Sequence, residues 1–457
     1  MSCIVVLDPN HSYGADFIDI AYRRFGLQTV AVYTNPQDFR ILGERFPSLR
    51  SDRVAASYFA DPDNLAGIAD QLAQRHHIVA VLPPTEGSVK HAGELAHALG
   101  LPSAQLDVLT RFRDKQELKA HIAAQPGAPR INGTWRVRTA EEVAQILESS
   151  AEVDRFVLKP NDGYANSKIG YFDRSTSSDD LAAHFATAPG VPMIMEEFLD
   201  GQEYQVNGQV DADGNVEIVS VVAAYRGQTN EASNNMLFDE KIFHHDPRFT
   251  ELADYVVQVI QKTGLRRSPF HAEVIIDDRG PCLIEVGARL VGGGLAYIVN
   301  SYHQGHIDIL ERAVVHYISD GPQDLRKIDW EIYDQEPVAI AYGVQEESGR
   351  VRAVTGLDEV EARPDFIRWS RAPSVTEPVF RTIDFNSHPY IVALRQDRAG
   401  IEQAAAEVAD TIDISIQSEN LEQQVDFLSE LSRRVGRIAA TNVAIRPKRL
   451  RPDDVKG

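Results

Sequence analysis

Over the first hundred residues, short apolar, β-rich runs alternate with amphipathic helical patterns. "CIVVLD" is followed by "GADFIDIAYRRFG", "LQTVAVYT" by "PQDFRILGERF", and "HIVAVLPP" by "EGSVKHAGELAHALG". That order predicts βαβ units on a parallel sheet. The first strand leads into "DPNHSYG" and not into G-x-G-x-x-G. The dinucleotide fingerprint is therefore absent, which argues against the nicotinamide dehydrogenase that such a sheet would otherwise suggest.

From about residue 106 the pattern changes. A helix is predicted at "DKQELKAHIAA", then a Pro/Gly break "QPGAPR", a helix near "TAEEVAQIL" and a strand "RFVLKP". "NDGYANSKIG" has the small, polar composition of a loop between two strands. Next come "VPMIMEEFL", a hairpin turning at Asp-Gly-Asn, the polar stretch "YRGQTNEASNNMLFDEKIFHH" and the helix "ELADYVVQVIQKTG". Beyond about 335, "EPVAIAYGVQ", "RVRAVTG", "FIRWSRA" and "AGIEQAAAEVADTI" predict a separate small α/β domain. The end of the chain carries Arg433, Arg434, Arg437, Arg446, Lys448, Arg449 and Arg451, a basic tail read as a solvated end.

Composition narrows the function classes. At 457 residues the chain needs two to four domains. A formal net charge of -21 argues against nucleic acid or an anionic membrane as partner. Any bound anion must then meet locally placed basic groups. The two cysteines, Cys3 and Cys282, can build neither a disulfide framework nor a zinc cluster, and the N-terminus lacks the basic and long apolar segments of a signal. A cytoplasmic protein is expected.

The segment "SPFHAEVIIDDRGPCLIEVGARL" reads as a hairpin. With Asp278, Arg279 and Gly280 as a three-residue loop, Glu273 falls opposite Glu285, with Cβ atoms about 5 Å apart. Two facing carboxylates repel unless a cation lies between them or one is protonated. Carboxylate-only ligation suits Mg²⁺ or Mn²⁺, the remaining ligands coming from water and a substrate phosphate. Arg289, four residues after Glu285, is expected on the same strand face with its cation toward the same anion. His271 is read as a wall or hydrogen-bonding residue. Lys159 ends "RFVLK" just before the loop, which offers backbone N–H groups, the Ser167 hydroxyl and Lys168 to a phosphate.

Five stretches, "RDKQELKAHIAAQPGAP", "FVLKPNDGYANSKIG", "MEEFLDGQEY", "HAEVII" and "IEVGARLVGGG", resemble the successive motifs of the ATP-grasp superfamily, in order. "VLPPTEGSVKHAGELAHALGLPS" resembles the end of the domain that precedes the grasp. "AIAYGVQEESGRVRAVTGLDEV" is similar to the extra domain of the L-amino-acid ligase branch. The resemblance implies an α/β chain laid out as a Rossmann-like domain (1–105), a small grasp subdomain with the phosphate loop (106–195), a large subdomain with the metal site (196–330), a C-terminal α/β domain (331–425), and a helix with the basic tail (426–457). It implies that Lys115 and Lys159 contact ATP phosphates, that Glu196, Glu197 and Leu199 line the adenine hinge, that Glu203 meets the ribose, that Glu273 and Glu285 bind Mg²⁺, and that Arg289 stands beside the transferred phosphate. Many such enzymes have Asn where this chain has Gly287, and a small residue there favours the amino-acid ligase branch.

The reaction implied is ATP-dependent amide bond formation through an acylphosphate, with small-molecule carboxylate and amine substrates and a homodimer as the candidate assembly. Two alternatives stand beside it. One is an ATP-grasp enzyme activating another carboxylate, such as bicarbonate or an organic acid. The other is a nucleotide-binding regulatory protein that has lost catalysis.

Overall fold

A computed structural model describes residues 2–34, 52–103, 105–161, 168–230, 232–319, 325–418 and 444–445. Its N-terminal sheet holds β1 (Ser2–Leu7), β2 (Gln28–Tyr33), β3 (Val54–Phe59) and β4 (His77–Leu82) in the order 3-2-1-4, all parallel. The near-continuous apolar run of β1 follows from this placement, since a central parallel strand is covered on both faces. Cys3, Val5 and Leu7 pack under helices Leu65–Arg75 and Val89–Ala98. Ile4 and Val6 face the other way, into the large core shared with the rest of the chain. Both cysteines are buried, and among the described residues neither forms a disulfide. The predicted helix "PQDFRILGERF" and most of the basic tail lie outside the described residues; two tail residues form β20 (Ala444–Ile445), antiparallel to β3.

A four-stranded antiparallel sheet follows, ordered β5 (Thr134–Val137), β8 (Met193–Glu197), β6 (Arg155–Pro160), β7 (Gly170–Asp173). Helix Lys115–Ala123 leads into it, N-capped by Asp114, whose carboxylate accepts from Glu117 N at 2.8 Å.

The largest sheet has eight strands: β13 (Gly280–Gly287), β12 (Ser268–Asp277), β9 (Gln202–Val210), β10 (Val216–Thr229), β11 (Ala232–Lys241), β14 (Ala339–Tyr342), β18 (Ile391–Leu394) and β16 (Phe366–Arg371). The segment 331–425, expected as a separate domain, thus shares its main sheet with the preceding strands. β14 pairs β11 directly through Phe238↔Ala341 and Glu240↔Ala339. Its other strands, β15 (Gly349–Thr355), β17 (Pro378–Val379) and β19 (Asp413–Ser418), form a small sheet of their own. Most of the polar stretch 225–245 is strand, in β10 up to Thr229 and in β11 from Ala232 to Lys241, and its polar groups find partners inside: buried Asn235 donates to Thr229 Oγ1 at 2.8 Å. Among the described residues no helix is long and apolar enough to cross a membrane.

Candidate active site

A cavity of about 350 Å³ opens where these units meet. Its walls include Lys115, Lys159, Glu196, Glu197, Leu199, Glu203, Glu273, Glu285 and Arg289. Ser167 lies outside the described residues, and Lys168 is exposed with φ 60°.

The β12–β13 hairpin places the two acids. Glu273 faces Glu285, though by a different route from a three-residue loop. Asp277 pairs Gly280 across a two-residue turn, and a register shift between Glu273 and Val274 then restores the facing pair. A bulge of this kind re-aims side chains beside functional sites. Lys115 Nζ lies 3.3 Å from Glu285 Oε2, and His271 Nε2 lies 3.7 Å from Glu273 Oε1. His271 is held on its other side by Asn207, Nδ1 to Oδ1 2.8 Å. Burial alone would raise the Glu273 carboxyl, but His271, Arg226 and Arg289 outweigh it and hold it below its usual range. Among the described residues no cluster of three or more His, Cys, Asp or Glu is set to hold a metal. Two carboxylates open to a cavity suit a cation that draws its other ligands from phosphate and water.

Glu196 behaves differently. It faces Val157 across β6–β8, so Lys159, two residues on, is its diagonal neighbour on one face of the sheet. Its Oε2 lies 2.9 Å from Lys159 Nζ, and its Oε1 lies 2.8 Å from Lys119 Nζ. Burial opposes ionisation of Glu196, yet the two ammoniums prevail and bring its carboxyl down to about 2. Lys119 also donates to Asn132 Oδ1 at 2.9 Å, and Asn132 Nδ2 donates to the Glu197 carbonyl at 3.0 Å. The side chain of Glu196 is therefore clamped between two lysines at the cavity wall. Glu197 is tied by its N–H to Gly133 O at 2.9 Å and by its carboxylate to Arg279 at 2.7 Å. The apolar walls nearby come from Val157, Ile169, Tyr171, Leu199, Ile275 and Ile284. Glu203 holds Arg226 in a bidentate pair, with Arg226 Nε donating to Oε2 at 2.6 Å.

Arg289 lies past the end of β13, so the strand-face argument does not place it. Its Nε donates to Glu86 Oε2 at 2.6 Å, while Arg113 Nη1 donates to Glu86 Oε1 at 2.7 Å. Burial would raise the Glu86 carboxyl, but Arg289 and Arg113 outweigh it and lower it. Gly287 now has a spatial reason: a Cβ there would lie 2.7 Å from Glu86 Oε2. Glu86 occupies the space that a larger side chain at 287 would need.

Sequence reasoning missed Lys119, Glu86, Arg113 and Arg226. Lys119 had a signal, since it lies one helical turn after Lys115 on the same face. Glu86 had a weaker one, because "PPTEGS" leaves the carboxyl end of β4, where parallel sheets take ligands.

Residues 155–297 match the family model described as ATP-grasp domain. The chain carries an ATP-grasp domain. All the cavity residues from Lys159 to Arg289 fall within the ATP-grasp match, whereas Lys115 and Glu86 precede it. Dapdiamide A synthase of Enterobacter agglomerans is 29% identical over 378 residues, covering 79% of this chain and 84% of that protein. Among solved structures, an L-amino acid ligase from Bacillus licheniformis aligns with TM-score 0.70 and 17% identity, covering 91% of this chain and 99% of its own. A phosphoribosylglycinamide synthetase from Anaerococcus prevotii aligns with TM-score 0.65 and 13% identity, over 91% and 100%. At these identities the structural likenesses establish the ATP-grasp fold with its preceding parallel α/β domain.

Proposed function

We propose that the protein is an ATP-dependent carboxylate–amine ligase joining an amino acid or amino-acid-like acid to an amine. The observation that carries this reading is the convergence of the facing pair Glu273 and Glu285 with Lys115, Lys159 and Arg289 on one cavity. The relatives that form C–N bonds support the same chemistry.

ATP seats its adenine between Leu199 and the apolar walls from β6, β7 and the β12–β13 hairpin, against the hinge backbone. The ribose lies toward Glu203, whose carboxylate Arg226 holds in a fixed plane. The phosphates run toward Lys115 and Lys159, and Lys159 is aimed by Glu196. A Mg²⁺ or Mn²⁺ ion, held by Glu273 and Glu285, would neutralise charge on the transferring phosphoryl group. Arg289 adds a further positive charge toward that group, and Glu86 orients Arg289.

A carboxylate oxygen of the acid attacks the γ-phosphorus, and the bond to ADP breaks. The amine nitrogen then attacks the acyl carbon; the C–N bond forms, the C–O bond to phosphate breaks, and the nitrogen loses a proton. No protein nucleophile is needed. A partly enclosed cavity keeps water from the acylphosphate.

A phosphate-release screen over pairs of acids and amines, with product masses checked, tests the reading. Release that requires both partners, with a product lighter by one water than their sum, is expected. Release with an acid such as bicarbonate and no amine requirement would replace the amide ligase with another carboxylate-activating enzyme. Binding of Mg-ATP with no ADP formed from any pair would point to a regulatory protein.

A further inference from the structure

One wall of the cavity is built by residues of the C-terminal segment. Phe385 and Asn386 line the cavity together with Gly292, Gly293 and Leu295. Gly293 and Gly294 turn with φ 63° and 77° into helix Leu295–Tyr302. A Cβ on Gly293 would lie 2.5 Å from Phe385 Cε1, so the ring stands where a side chain of residue 293 would begin. Gly293 presents only backbone on this side, and the bulk of the wall comes from Phe385.

The ring is held firmly. Phe385 begins a short 3₁₀ turn, Phe385–Ser387, closed by a capping box in which Asp384 Oδ1 accepts from Ser387 N at 2.9 Å and Asp384 N donates to Ser387 Oγ at 2.9 Å. The turn is anchored to the large sheet: Asn230 Nδ2 donates to Thr382 O at 3.0 Å. On the facing side, Ser370 Oγ donates to Gly293 O at 2.6 Å. Tyr342 packs edge-on to the Phe385 ring, with centroids 6.2 Å apart. A rigid aromatic wall on braced backbone sets the size of what it faces.

We infer that Phe385 is the residue that limits the side-chain size of the carboxylate substrate. This rests on the ligase reading above. Arg289, which the ligase reading sets beside the transferred phosphoryl group, and Phe385, packed on Gly293, line the same cavity, so the acid that receives the phosphoryl group is assigned to the space between them. The substrate class this predicts is an amino-acid-like acid with a small or medium apolar side chain. That side chain lies against Phe385 and Leu295, and the Asn386 amide is available to a polar group at its end.

The test compares wild type, Phe385→Ala and Phe385→Trp over glycine, alanine, leucine and phenylalanine as acids, each with one fixed amine, reading kcat/KM from ADP release. Phe385→Ala should move the ratio of the largest to the smallest acid by about tenfold toward the large one, and Phe385→Trp should move it the other way. The KM for ATP should stay within about twofold, because Phe385 is not among the residues assigned to the adenine, ribose or phosphates. Calorimetric binding of the same acids in the presence of a non-hydrolysable ATP analogue reads the same selectivity without turnover. An unchanged acid ratio in both folded variants, or a raised ATP KM with a constant acid ratio, overturns the inference. In each of those cases the wild-type activity, and with it the ligase reading, still stands. A wild type that forms no ADP with any pair strikes the ligase reading, and the calorimetric ratio then decides the role of Phe385 by itself.

Discussion

Two groups of acids in this cavity differ in how the protein satisfies them. Glu196 has an ammonium on each oxygen, at 2.8 and 2.9 Å. Glu273 and Glu285 face each other with looser protein partners, at 3.7 and 3.3 Å, and remain partly open to the cavity. A carboxylate saturated by its own protein is a positioning element. A facing pair whose oxygens meet protein cations only at 3.3 and 3.7 Å, and which stays partly open to the cavity, leaves coordination room for an external cation. Glu86 belongs with Glu196, since Arg289 and Arg113 each donate to one of its oxygens, at 2.6 and 2.7 Å.

The largest effect expected from this contrast is on catalysis. Glu285→Gln removes a ligand charge without changing size and should lower ADP formation by about 100-fold or more, with the thermal unfolding midpoint unchanged. Activity within a few-fold of wild type would show that the facing pair holds no metal.

Glu196→Gln should do the reverse and act first on stability. It leaves two buried ammoniums together without their counter-charge, so unfolding in urea should show a loss of about 3–5 kcal/mol, with a raised KM for ATP. A variant as stable as wild type would remove Glu196 from its role as clamp.

The same acid carries a pH dependence. Its carboxyl moves from the ordinary 4.5 in the unfolded chain to about 2 in the fold, since Lys119 and Lys159 overcome the effect of burial. A folded value below the unfolded one means the contribution is complete above about pH 4.5 and is lost as pH falls toward 2. The stability difference between wild type and Glu196→Gln should narrow over that window, measured by urea unfolding at stepped pH. A constant difference would contradict the assignment.

The smallest effect is expected at the rim. Arg279 meets Glu197 at 2.7 Å, but the Arg279 side chain is 51% exposed. Arg279→Ala should change stability by less than about 0.5 kcal/mol and leave the ATP KM near wild type.

The order of elements was legible because it depends on local periodicity and on turn chemistry. The parallel N-terminal sheet, the hairpin and the facing glutamates all follow from alternation over a few residues. The local route to that pair was not legible, since one residue fewer in the turn and one bulge in the strand give the same partners. Nor was the continuity of the C-terminal strands with the large sheet, because an edge strand carries no mark of which neighbour it will join.

The sequence by itself determined which residue types could handle phosphate and metal, and roughly where each lay on its own element. Only the tertiary structure decided their partners. Glu86 and Arg289 lie 203 positions apart, Lys119 and Glu196 lie 77 apart, and no periodicity reaches across such distances. Gly287 shows both halves. Its smallness is visible in the chain, but the Glu86 carboxylate that fills the space beside it follows β4, far away in sequence, and only packing brings that oxygen within 2.7 Å of a Cβ position.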